Sequence, residues 1–275
     1  MTKKKWGILV KFICIALTFT MAFSIFAGCD DDDRSSKKDK DKEESIESGA
    51  GGDRKKIALT FDDGPHNVRT TDIVDELNKY GYHATFFVVG NRIDGTEYNG
   101  AAGLKYAHEA GNEIGIHGYT HNVYYDECTK EEFESELNKT KNAIHNVIPD
   151  AKIRLMRPVG GYITDERVKQ CPYSVIMWSV DSNDYNYTYK KGDTEKEWKE
   201  KVDTIVDNVM KDLDEGDIIL MHDLYESTYD ATVILLKRLY EEGYEVVTVS
   251  ELLNNPPAGQ KFSRAGQNKN HNSVG

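Results

Sequence analysis

Between residues 56 and 255, short apolar runs alternate with longer amphipathic stretches. Seven runs read as strands: 56–62, 83–90, 113–119, 153–159, 173–181, 217–223 and 244–250. The runs are continuous rather than alternating, as in Asp217-Ile218-Ile219-Leu220-Met221. A strand that is apolar on both faces belongs in a parallel sheet covered by helices. Helices are predicted between the runs over 70–80, 101–110, 130–147, 165–169, 194–213 and 228–242. In the third of these, Phe133, Leu137, Ile144 and Val147 recur near the helical period with charges opposite. Repeated strand-then-helix units imply an α/β barrel or a doubly wound sheet. Either fold places its reactive groups at the carboxyl ends of the strands.

The pattern stops at both ends of the chain. Residues 1–29 begin with Lys3, Lys4 and Lys5, run apolar from Phe12 to Ala27, and close on Ala27-Gly28-Cys29. The run is short for a membrane span and reads as a signal peptide. Small residues before Cys29 make it the lipoprotein type, although Phe26 stands where such signals usually carry Leu. The mature chain is expected to begin at Cys29, lipid-anchored to the membrane and extracytoplasmic. An ordinary signal peptide or an uncleaved anchor would leave the domain on the same side. Residues 30–55, starting Asp30-Asp31-Asp32-Asp33, are too charged to bury a core and read as a disordered linker. Residues 256–275, after Pro256-Pro257, read as a disordered tail.

A formal net charge of -12 and a pI near 5.2 exclude nucleic acid as a partner. The 16 tyrosines suit a surface that stacks rings on sugars. The cysteines Cys14, Cys29, Cys128 and Cys171 fit no zinc-ribbon or thioredoxin spacing. Cys128 and Cys171 could pair outside the cytoplasm but are read as free.

Five strand ends carry candidate chemistry. The first is Thr60-Phe61-Asp62-Asp63-Gly64-Pro65, two carboxylates at a turn. The second is His117-Gly118-Tyr119-Thr120-His121, whose imidazoles would share a face on a helical turn and, with Asp63, could hold one metal. Such a triad leaves positions open for water and substrate. The third is Arg157-Pro158-Val159-Gly160-Gly161, where a guanidinium could fix the charge of a carboxylate. In the fourth, Asp181-Ser182-Asn183-Asp184-Tyr185, Asp181 could orient a histidine while Asp184 reads as part of an acidic loop. The fifth is Leu220-Met221-His222-Asp223, with a lone imidazole available as an acid. His83, His108 and His145 lack such surroundings.

In this order the five motifs resemble those of the polysaccharide deacetylases, carbohydrate esterase family 4, over roughly residues 56–253. The resemblance implies a distorted (β/α) barrel of about seven parallel strands. It implies one divalent metal on Asp63, His117 and His121; this donor set suits zinc, with cobalt or nickel as further fits. Asp62 would be the general base, Arg157 its partner, His222 the general acid, and Asp181 the group tuning His222. The Gly160 N–H would help bind the oxyanion, and Pro158, Gly160, Tyr185 and Leu220 would contact substrate. The implied reaction removes N-acetyl groups from an extracytoplasmic polysaccharide, most naturally peptidoglycan, and releases acetate. A monomer suffices for it. Two alternatives compete: a same-fold enzyme acting on O-acetyl esters or small amides, and a non-catalytic sugar-binding lipoprotein. The family's aromatic residue and second Pro in the third motif are here Gly160 and Val159, and its Trp in the fourth is Tyr185.

Overall fold

A computed structural model describes residues 54–95 and 100–266. The leader and nearly all of the linker therefore lie outside the described residues. The elements in chain order are β1 (Lys55–Asp62), α1 (Arg69–Tyr80), β2 (Thr85–Val88), α2 (Gly90–Asp94), α3 (Ala101–Glu109), β3 (Glu113–Ile116), α4 (Lys130–Val147) and β4 (Leu155–Met156). There follow α5 (Asp165–Gln170), β5 (Ser174–Ile176), β6 (Val180–Asp181), α6 (Glu195–Met210), β7 (Ile218–His222), α7 (Glu226–Glu241), β8 (Tyr244–Val246), α8 (Val249–Leu252) and β9 (Lys261–Phe262).

The strands are parallel and run in the order β6-β7-β1-β2-β3-β4-β5-β9. β8 pairs with the first residues of β1. β5 and β6 are consecutive in sequence yet stand at opposite sides of this order. In a flat sheet six spacings would part them, about 29 Å. Only residues 177–179 connect them, so the two strands can be at most about 14 Å apart. The sheet must therefore curl until its edges nearly meet, which makes it a distorted barrel. This resolves the alternatives that the strand–helix pattern left open.

Burial accounts for the strand composition. Ile57, Ala58, Leu59 and Phe61 in β1 and Ile218, Ile219 and Met221 in β7 are fully buried. Both faces of these strands meet side chains, inside the barrel or under the helices. Side-chain caps set the starts of α4, α5, α6 and α8. Thr129 with Glu132 and Thr194 with Glu197 form reciprocal capping boxes at α4 and α6.

Three expectations change. The run 173–181 is two strands, because its middle crosses the seam between the sheet edges. Residues 256–266 are not a disordered tail: they carry β9, and Val175 N and Met177 N donate to Gln260 O and Phe262 O at 2.9 and 2.7 Å. β9 satisfies the open edge of β5, something a polar composition does not reveal. Residues 117–121 form a loop, not a helical turn. Cys128 and Cys171 are free thiols, and burial pushes the Cys171 thiol up to about 11.

Candidate active site

The carboxyl ends of β1, β3, β4, β6 and β7 open onto one cavity of about 300 Å³. Asp62, Asp63, His117, His121, Gly160, Asp181, Tyr185, Leu220 and His222 line it, with Trp178 and Tyr225. Of the residues expected from sequence, Arg157 and Pro158 stand behind that lining. Pro158 is buried, and its carbonyl accepts from Gly161 N at 2.9 Å to hold the turn after β4.

Arg157 is fully buried inside the barrel. Its Nη1 donates to Asp62 Oδ1 at 2.8 Å and to Thr60 Oγ1 at 2.7 Å. Nε and Nη2 donate to the carbonyls of Ile176 and Met177 at 3.1 and 3.0 Å. One guanidinium thus ties β1 to the seam after β5, and every one of these bonds is to a fixed acceptor. A buried charge is tolerated only when paired and bonded in this way. The pairing fixes the Asp62 carboxylate in place and leaves its Oδ2 towards the pocket, 3.7 Å from His117 Nε2.

Asp63 follows directly but faces another set of groups, because its backbone is left-handed, with φ 71°. His121 is left-handed too, with φ 61°. Such backbone costs on the order of 1–3 kcal/mol per non-glycine residue and persists where the surroundings impose it. Gly64 makes room: a Cβ there would lie 2.3 Å from both carboxylate oxygens of Asp223. Asp223 is itself fully buried beside Thr70, and burial pushes its carboxyl up to about 7.

Asp63 Oδ1 lies 3.3 Å from His117 Nε2 and 2.8 Å from His121 Nε2. His117 Nδ1 is 2.9 Å from the Arg157 carbonyl, to which it can only donate, so a neutral ring turns a lone pair towards Asp63. Asp63 Oδ1 is buried and accepts no hydrogen bond. Burial opposes its charge, but the two imidazoles, when protonated and donating, outweigh burial and hold the carboxyl well below the usual range. Two nitrogens and one unpartnered oxygen converging on a point fit a divalent cation. Among the described residues this is the one such grouping of three.

Across the pocket, His222 Nδ1 meets Asp184 Oδ1 at 2.8 Å, and His222 N donates to Asp184 Oδ2 at 2.8 Å. Thr228 Oγ1 and Tyr185 N also donate to Asp184, at 2.6 and 2.9 Å. Burial lowers the affinity of His222 for a proton, but the bond and charge of Asp184, with the charges of Asp62 and Asp63, push it up to about 9. The expected partner, Asp181, lines the cavity but accepts from Asn183 N at 2.8 Å instead. Asn183 adopts φ 55°, and this turn swings Asp184 inward beneath His222. An asparagine between two strand-end aspartates, tolerant of left-handed backbone, was the available signal.

Trp178, Tyr225 and Asp184 were missed from sequence. Trp178 lies in the seam that the strand prediction ran through, and Tyr225 caps α7 beyond the last motif. The Tyr185 ring stands edge-on to His222, with centroids 5.5 Å apart.

The profile described as polysaccharide deacetylase matches residues 49–176. Over 204 residues the chain is 33% identical to a peptidoglycan-N-acetylglucosamine deacetylase of Bacillus cereus, covering 72% of this chain and 87% of that protein. This chain belongs to the polysaccharide deacetylase family. The family is carbohydrate esterase family 4. Another member, the peptidoglycan-N-acetylmuramic acid deacetylase PdaC of Bacillus subtilis, is 37% identical over 211 residues. That alignment covers 77% of this chain but only 40% of PdaC, so the chain spans less than half of that relative's length. The solved structure of PdaC superposes with a TM-score of 0.64 at 36% identity, covering 74% of this chain and 92% of that one. The barrel is thus that of a polysaccharide deacetylase.

Proposed function

We propose that this protein is a metal-dependent, extracytoplasmic deacetylase that removes N-acetyl groups from peptidoglycan amino sugars and releases acetate. The observation that carries the reading is the division of labour around one cavity. Asp63, His117 and His121 converge on an unpartnered oxygen, Asp62 is charge-paired but open on one side, and His222 is held by a buried carboxylate.

A divalent cation on Asp63, His117 and His121 supplies Lewis acidity towards an amide oxygen and acidifies a water. Zinc suits the donor set, and cobalt or nickel also fit it. Asp62 Oδ2 takes the proton of the attacking water, while Arg157, bonded to Oδ1, holds the carboxylate in position. Asp184 fixes the His222 ring with Nε2 towards the cavity, from which it protonates the leaving amine. The turn at Gly160 borders the carbonyl side of the pocket. Trp178, Tyr185 and Tyr225 wall the sugar.

The charged segment 30–55 is read as a tether, with Cys29 as the lipidated first residue of the mature chain. Cys29→Ala is then expected to release the domain from membranes or block processing; unchanged retention would make the leader an uncleaved anchor. The activity is tested by acetate release from purified peptidoglycan and chitin oligomers, with and without chelator. Chelator-sensitive release from peptidoglycan is expected. Release only from O-acetyl esters, or from no glycan, would overturn the reading.

A further inference from the structure

The cavity does not end at its reacting groups. Gly160 lines it with φ 60°. A Cβ on Gly160 would fall 2.8 Å from two ring carbons of Tyr162 and 3.7 Å from a ring carbon of Tyr124. The Tyr162 ring therefore occupies the space that a side chain at 160 would need, and the cavity rim continues onto it. Tyr162 and Tyr124 meet edge-on with centroids 5.3 Å apart. They are 54% and 46% exposed, respectively, although paired rings gain by burial.

Both rings stand on fixed backbone. Tyr125 N donates to Tyr162 O at 3.2 Å, and Tyr125 bridges Ile163 in parallel. The Tyr125 ring is buried edge-on against Phe133, at 4.9 Å. One tyrosine is thus the anchor and its neighbour the exposed surface. On the far side of the same turn, a Cβ at Gly161 would lie 3.1 Å from the Trp178 ring inside the cavity. Aromatic surface borders the turn on both sides.

We infer that Tyr162 and Tyr124 form a stacking subsite for a pyranose ring adjacent, along a glycan chain, to the sugar held in the cavity. A pyranose offers an apolar C–H face to an aromatic ring and hydroxyls to its phenol. Rings on preorganised backbone lose little freedom on binding. The subsite favours a polymer over a small amide, because only a chain occupies cavity and rim together. The inference rests on the deacetylase reading for the sugar in the cavity, but not for the stacking.

Two arms separate the two claims. In the first, zinc-loaded wild type and Tyr162→Ala are assayed on chitobiose and chitohexaose. The ratio of kcat/KM for hexamer over dimer is expected to fall about tenfold in Tyr162→Ala, through KM, with a smaller fall in Tyr124→Ala and recovery in Tyr162→Phe. Tyr189→Ala, an exposed ring elsewhere that packs on Trp198, is expected to keep the wild-type ratio. A ratio unchanged in Tyr162→Ala overturns the subsite. In the second arm, chitohexaose binding to the Asp62→Asn protein is followed by calorimetry, with and without Tyr162→Ala. Binding about tenfold weaker without the ring supports the subsite even if wild type releases no acetate, a result that would sink only the deacetylase reading. Equal binding, or none to the Asp62→Asn protein, overturns it.

Discussion

Asp63 and Asp184 each face an imidazole nitrogen at 2.8 Å, yet their surroundings differ in kind. Asp184 accepts from His222 Nδ1, two backbone N–H groups and the Thr228 hydroxyl, so every lone pair that matters has a donor. Asp63 Oδ1 has none, and the imidazole nearest in the core points a lone pair at it. A carboxylate with its donors in place is a positioning group, whereas one facing other acceptors awaits a cation. Residue type does not distinguish the two aspartates; the count of satisfied bonds does.

The strongest way to break this contrast is Asp63→Asn. Metal content measured on the purified protein is expected to fall to background and acetate release with it, beyond the roughly ten-thousand-fold span of acid–base catalysis. If Asp63→Asn keeps its metal and Asp62→Asn loses it, the two neighbouring carboxylates have exchanged roles.

Next in size is Asp62→Asn. It should retain metal and lose about a thousandfold in kcat. His222→Ala should also retain metal, lose about a hundredfold, and remove the alkaline limb of the pH–rate profile, on which the acid must still hold its proton. An unaltered alkaline limb would show that another group protonates the amine.

Asp184→Asn sharpens the comparison. A second carboxylate that orients and charges an imidazole is expected to cost about ten- to a hundredfold in rate. It also predicts a stability signature in chelated protein. His222 binds its proton more tightly in the folded protein, at about 9, than in the unfolded chain, at about 6.5. The pair therefore contributes its full stability below about pH 6.5 and loses it as pH rises towards about 9. The difference in Tm between wild type and Asp184→Asn should be widest at pH 6 and narrow steadily to pH 9. A constant difference would mean that Asp184 acts only through neutral hydrogen bonds. Smallest of all is Asp181→Asn: His222 keeps its partner, and the pH profile should stay in place.

The architecture was legible because long apolar runs and capped amphipathic helices are local signals. Seven runs and six helices named most of the barrel, and the strand-end motifs named most of the residues that line the cavity. The short helices α2 and α8 and the strand β9 escaped, since each depends on what lies against it rather than on its own period.

The sequence by itself determined which side chains stand at the strand ends, because strand period and turn residues are written along the chain. It could not determine which of two aspartates meets His222, since that depends on one left-handed residue, Asn183. Nor could it tell that the run 173–181 crosses a seam. That is settled by how far a sheet must curl for Arg157 to reach both Asp62 and the Met177 carbonyl. Distances between residues remote in sequence are set by packing and closure, and only the folded chain holds them.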